Sequence, residues 1–233
     1  MSPRYWELTA ENWPDADLFE YGRFFTYDRN PQPPTPRKLR LFVAGCYRQV
    51  WNHIPEGAYR GAVEAGEAFA DGGPIEAARA ATDAAEDLAG EDLSWWGRNL
   101  SWDFTAIPAD PLEECPRHYP VWVQLVAALQ RASGPTSPPA RSSDEAQALH
   151  LTLFRDVFGN PFRPVAFDPA WRTEAVVALA RGMYESRDFA PMPVLADALG
   201  DAGCDQPDIF AHCRGPESHV RGCWGVDLVL GKA

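Results

Sequence analysis

Near the C-terminal end the chain reads Cys204, eight residues, Cys213, five residues, His219, three residues, Cys223. Thiolate and imidazole are the donors that Zn²⁺ prefers, and four of them at short separation can close one tetrahedral shell. A catalytic zinc typically keeps one position for water, whereas a structural one takes four protein ligands. Four are available here, so the chemistry expected is a structural zinc ion that fastens the tail. His212 adjoins Cys213, and adjacent residues seldom both reach one ion, so His212 is expected as a substitute ligand or as a group behind the ligands. Cys115 and His118, a Cys-x-x-His pair between prolines, are further substitutes that would tie two distant regions together. The plain alternative is that the three cysteines are small core hydrophobes and His219 a satisfied surface side chain.

The eight, five and three spacing resembles that of the CCCH-type zinc fingers, with the order changed: the histidine, His219, stands third and a cysteine, Cys223, stands last. That resemblance covers only this segment, and it implies zinc together with RNA binding. The charge balance opposes the second part. Lys and Arg number 21 against 33 for Asp and Glu, a net charge of −12, which repels a polyanion. Arg37, Lys38, Arg40 and Arg48 form the one basic cluster, expected as a surface that balances nearby carboxylates.

The runs RKLRLFVAGCYRQVW, LFRDVFGNPFRPVAFDPAW, PVLADALGDAGC and AHCRGPESHVRGCWGVDLVLGK resemble a paralogue-rich bacterial family over most of the chain. The resemblance implies no particular activity. In that family the first of these runs often carries extra cysteines near the position of Cys46. Here Ala44 and Tyr47 stand beside Cys46, which is therefore expected to be a buried thiol.

Three functions are open to such a chain. The first is a non-enzymatic interaction or scaffold protein, its partner another protein, with zinc adding folding free energy. The second is an enzyme in which Cys213, His212 or His219 meets Arg214, Arg221 and Asp227. The third is a nucleic-acid binder using the finger-like segment and the Arg37 to Arg48 cluster, although from Cys204 onward four acids outnumber Arg214, Arg221 and Lys232. No GxGxxG, P-loop, HExxH or GxSxG is present, and no pair of carboxylates stands out for acid–base work, so no catalytic residue is named.

The elements that must position these residues are expected to be helices: a mainly α, irregular multi-helix bundle with a compact Cys/His-rich C-terminal segment. Hydrophobic residues make up 45% of the 233 residues, enough for an ample core. No apolar run approaches the ~20 residues of a membrane helix, and the N-terminus lacks the pattern of a signal peptide. A soluble, cytoplasmic protein with reduced thiols is expected.

Aromatic residues from Trp6 to Tyr27 suggest one or two short helices, with starts at Thr9 and Asp15. Thr35-Pro36 opens the clearest helix, with Leu39, Phe42, Val43, Cys46 and Val50 on one stripe. Pro55 to Asp71 and Pro74 to Gly90 form a helical hairpin. Trp95 to Pro120 has no clear reading, and Pro120 starts a helix through Trp122 and Leu129. The Pro/Ser-rich piece at 134–143 divides an N-terminal helical subdomain, 1–133, from a C-terminal one, 144–233. In the latter, Ser142 and Glu145 offer a capping box for a helix stopped at Gly159-Asn160-Pro161. Asp168-Pro169 and Pro193 each begin another, and Asp227 to Leu230 is a short strand or packed tail.

Overall fold

The computed structural model describes residues 9, 11–12, 34–49, 51–54, 56–89, 143–216 and 218–232. Every regular element among them is helical: α1 (Pro36–Gln49), α2 (Ala58–Ala70), α3 (Ile75–Ala89), α4 (Ser143–Phe158), α5 (Glu174–Ser186), α6 (Met192–Asp201), α7 (Pro207–Arg214) and α8 (Trp224–Leu230). Single 3₁₀ turns occur at Trp51–His53 and Pro169–Trp171. The mainly α fold expected is the fold observed. The chain divides into two compact units, Met1–Leu151 and Thr152–Ala233, and the division falls within α4. Asp15, the residues from Trp95 to Pro120 with Cys115 and His118, the helix expected after Pro120, the loop up to 142 and the cap residue Ser142 lie outside the described residues.

In the first unit, α1 begins as its sequence dictates. The Thr35 hydroxyl accepts a hydrogen bond from the Lys38 N–H at 3.3 Å, and Pro36 occupies the first turn, where a missing N–H costs nothing. Leu39 through Tyr47 are buried without a break, so α1 is enclosed on all sides. Arg40, expected on the surface, is among them: its guanidinium lies 4.4 Å from the Phe69 ring centre, where a stacked cation keeps its charge while its stem is buried. α2 starts later than Pro55, after Gly57 at φ 89°, a conformation that suits glycine. α2 packs on both α1 and α3, and the buried face of α3 is made of Ala78, Thr82 and Ala85, small enough for close approach. Further upstream, the Thr9 hydroxyl accepts from the Asn12 N–H while the Asn12 side chain accepts from the Thr9 N–H, two reciprocal hydrogen bonds at a turn.

In the second unit, Leu153, Phe154 and Val157 of α4 are buried, each worth about 1.5–3 kcal/mol of transfer free energy. Gly159 then ends the helix at φ 65°, the left-handed stop its sequence suggests. Asp168-Pro169 starts only a 3₁₀ turn, with the Asp168 carboxylate accepting from the Ala170 N–H at 2.8 Å. The α-helix waits for Thr173, whose hydroxyl caps the Val176 N–H. Between the two, Arg172 leaves the helical path, and its guanidinium donates to the carbonyls of Val229 and Leu228, 2.9 Å each, closing the C-terminal end of α8.

α6 begins at Met192 and runs through Gly200. Gly203, at φ 87°, turns the chain so that the Cys204 N–H reaches back to the Leu199 carbonyl at 2.9 Å. The Cys/His-rich C-terminal segment holds two helices, α7 and α8, and Asp227 to Leu230 is helix rather than strand or tail. α5 packs on α6 and α8, and α7 packs on α6 and α8, around a core that includes Met183, Leu195, Leu199, Ile209, Val226 and Val229.

Candidate metal centre

Where α4, α7 and the start of α8 meet, Asp156, His212, His219 and Cys223 each offer one donor atom, and the four atoms lie within 4.8 Å of one another. These residues could hold a metal ion. Each arrives by a different route. Asp156 projects from the last turn of α4, His212 from the last turn of α7, His219 from the loop that follows, and Cys223 stands at the N-cap of α8. Gly222, at φ 92°, makes the tight turn between the last two.

The geometry is that of a shared point rather than of a chain of partners. His212 Nε2 lies 3.0 Å from Cys223 Sγ and 3.4 Å from Asp156 Oδ1. His219 Nδ1 lies 2.6 Å from the same Asp156 oxygen and 3.8 Å from Cys223 Sγ. Each imidazole therefore turns one and the same nitrogen towards both the thiol and the carboxylate. A Cys-His-Asp relay needs the opposite, with one ring nitrogen on the thiol and the other on the acid. Zn–N bonds of about 2.0 Å and Zn–S bonds of about 2.3 Å imply tetrahedral edges of ~3.3–3.6 Å. The nitrogen–sulfur and His212–Asp156 edges straddle that range; the 2.6 Å edge is a hydrogen bond that has to open by about 0.7 Å around a cation.

The surroundings fix the donors in place. The second oxygen of Asp156 accepts from the Val220 N–H at 2.9 Å, which leaves the first aimed at the cluster and ties the α7–α8 loop to α4. The His212 ring lies between Trp224 and His219, with ring centres 4.6 and 4.8 Å away. The Asp156 and Cys223 side chains are buried, and those of His212 and His219 are 8% and 5% exposed. Burial, followed by the charge of Asp156, holds the Cys223 thiol well above its ordinary pKa. A divalent cation reverses that balance, since it stabilises thiolate and carboxylate together.

Of the four ligands expected from spacing, two are in the cluster, His219 and Cys223; His212, expected as a substitute, is a third. Cys204 and Cys213 are instead buried in the apolar core of this unit. Helix geometry decides between the neighbours His212 and Cys213. Side chains of adjacent helical residues point about 100° apart, so when His212 faces the cluster Cys213 faces the core. There burial first, then the nearby Cys204 and Asp156, push the Cys213 thiol up to about 12. Asp156 was not foreseen, because an acid beside an apolar stripe is common on helices.

The residues of the other two readings are placed differently. Arg214 pairs with Asp197 at 2.7 Å on the surface, and Arg221 lies over the Tyr184 ring. Asp227 is buried in the first turn of α8. In the basic cluster, Arg37 binds Asp71 at 3.1 Å, and Arg48 makes a two-pronged pair with Glu67 at 3.0 and 2.9 Å. The expectation that this cluster balances carboxylates fits those pairs. Cys46 is buried in α1.

What the fold and the cluster define is a helical protein with a buried two-histidine, one-carboxylate, one-thiol centre. No protein-family model, no curated protein and no solved structure matches the chain. Among the described residues, no helix is long and apolar enough to cross a membrane.

Proposed function

We propose that the protein is a non-enzymatic interaction module whose C-terminal unit is fastened by a structural zinc ion, held by Asp156, His212, His219 and Cys223. The observation that carries this reading is the convergence of four donor atoms on one point from three separately folded segments. The donor set suits zinc. Two imidazoles and a thiolate are borderline-to-soft, which disfavours Ca²⁺ and Mg²⁺, and four protein ligands leave no position for a substrate. Zinc at this point binds α4 to the α7–α8 loop, so its binding free energy adds to folding.

A partner that is itself a protein is the class that fits the net charge of −12, which repels nucleic acid. The four described cysteines are free thiols, which suits a reducing compartment such as the cytoplasm. The same reading extends to the bacterial family that the chain resembles. Its HCRGPxxHVRGCW motif contains His212, His219 and Cys223, and the run LFRDVFGNPFRP contains Asp156.

Elemental analysis of the purified protein tests the proposal. One zinc per chain, with a melting temperature that falls when a chelator removes it, supports the reading. A metal-free protein that neither takes up added Zn²⁺ nor changes its melting on chelation overturns it.

A further inference from the structure

Gly225 has no role in the reading above, yet it stands against the cluster. A Cβ built on it meets His212 Cδ2 at 3.0 Å, His212 Nε2 at 3.5 Å and Cys223 Sγ at 4.0 Å. The first of these is tighter than nine in ten such contacts, so the ring would have to give by a few tenths of an ångström, and its neighbours limit that retreat. Trp224 and His219 lie on it at ring-centre distances of 4.6 and 4.8 Å. Trp224 is itself backed by Gly159, where an added Cβ meets its Cγ at 3.2 Å. Gly225 thus adjoins the ring directly, and Gly159 makes room for the tryptophan that packs on it.

We infer that Gly225 is the positioning residue that admits His212 to the metal point, and so decides that the centre closes with four protein ligands. This rests on the zinc reading and adds its regulation. With a side chain at 225 the Nε2 atom is displaced, and the centre keeps three protein ligands, Asp156, His219 and Cys223, with a fourth position open to water or an added anion. Three protein ligands and a water is the arrangement of catalytic zinc, so this glycine separates a closed structural site from an exchangeable one.

The experiment is Co²⁺ titration of the full chain as wild type, Gly225→Ala and His212→Ala, read by absorption. In wild type the expected spectrum combines intense tetrahedral d–d bands with one thiolate-to-cobalt charge-transfer band. In Gly225→Ala the charge-transfer band persists, because Cys223 still binds, while the d–d bands weaken and respond to added azide, and affinity falls about 10–100-fold. His212→Ala reproduces that spectrum, and the double variant is no worse than either single one. A merely structural loss would not leave the thiolate band while opening an anion site. Should Gly225→Ala fail to fold, the inference requires that removing the ring in Gly225→Ala/His212→Ala restores folding. A double variant that also fails overturns it. So does a Gly225→Ala protein with wild-type spectrum and affinity, which leaves the zinc reading standing. Wild type that takes up no Co²⁺ overturns both.

Discussion

Glu67 in one compact unit and Asp156 in the other are both buried carboxylates, and the two are neutralised in different ways. Glu67, 2% exposed on α2, faces the Arg48 guanidinium through two hydrogen bonds, and Arg48 also lies 3.7 Å from the Trp51 ring centre. Asp156, 0% exposed on α4, faces two imidazoles, the Cys223 thiol and a backbone N–H. The guanidinium carries a permanent charge in a planar fork that matches a carboxylate, so the Glu67 site is complete as folded. The side chains that face Asp156 carry protons that can leave, and each of those protons would compete with a metal ion for the same lone pair. One site is an ion pair; the other is a group of donor atoms that could hold a metal ion.

The most severe test of that contrast is Asp156→Asn. The amide oxygen can still accept from Val220 N–H, so the loop stays tied, but an NH₂ group now points where the cation sits. Bound zinc should fall from one per chain to none in elemental analysis, with melting lowered by more than about 5 °C to that of chelated wild type. An Asn variant that keeps its metal breaks the comparison at its centre.

Glu67→Gln probes the other half. Among the described residues it leaves the Arg48 charge with Glu64 as its counter-ion, 3.8 Å away and half exposed. Breaking one side of a buried pair costs about 3–5 kcal/mol, and the residual exposure of Arg48 reduces this to about 2 kcal/mol. The loss should appear equally in denaturant titrations with and without chelator. If chelation changes the size of the Glu67→Gln effect, the two carboxylates are not independent.

Much of the fold was legible because caps and apolar spacing are local properties. Thr35-Pro36, the glycine turn at Gly72 and the stop at Gly159 all act within four residues of themselves. The C-terminal segment was harder for a physical reason. A string of cysteines and histidines suggests that spacing along the chain decides which donors meet, but once α7 forms, the helix rotates Cys213 away and brings His212 in. Pro207 at the first turn with Ile209 and Cys213 four apart was the available sign of that helix. Asp156 lies 63 residues from His219 in sequence, and no local pattern relates them. The close approach of Gly225 to His212 is a three-dimensional fact of the same kind.

Cys213 supplies a test with pH. Its thiol is pushed up to about 12 by burial, from an ordinary value near 9. A raised acid of this kind stabilises the fold fully below the unfolded value, and that contribution disappears as pH climbs through the folded one. In chelated protein, stability should therefore decline between pH 9 and 12, with a slope of up to about 1.4 kcal/mol per pH unit from this thiol alone. Cys213→Ala should make that decline shallower while leaving zinc content at one per chain. Loss of zinc in this variant would return Cys213 to the ligand set that its spacing suggests.

The smallest effect is expected at Arg214, next to Cys213 in sequence and hydrogen-bonded to Asp197 at 2.7 Å. It is the third kind of carboxylate partnership in the molecule: both side chains are more than half exposed, so water and salt already screen them. Holding two long side chains together also costs rotamer entropy, and such pairs contribute about 0–1 kcal/mol. Arg214→Ala should shift the unfolding free energy by less than about 0.5 kcal/mol, with any shift vanishing in high salt. Its short distance is comparable to that of His219 and Asp156, 2.6 Å, yet the expected consequences differ widely. Proximity alone does not set the energy; what decides is whether water can replace the partner, which it does freely at Asp197 and cannot at Asp156.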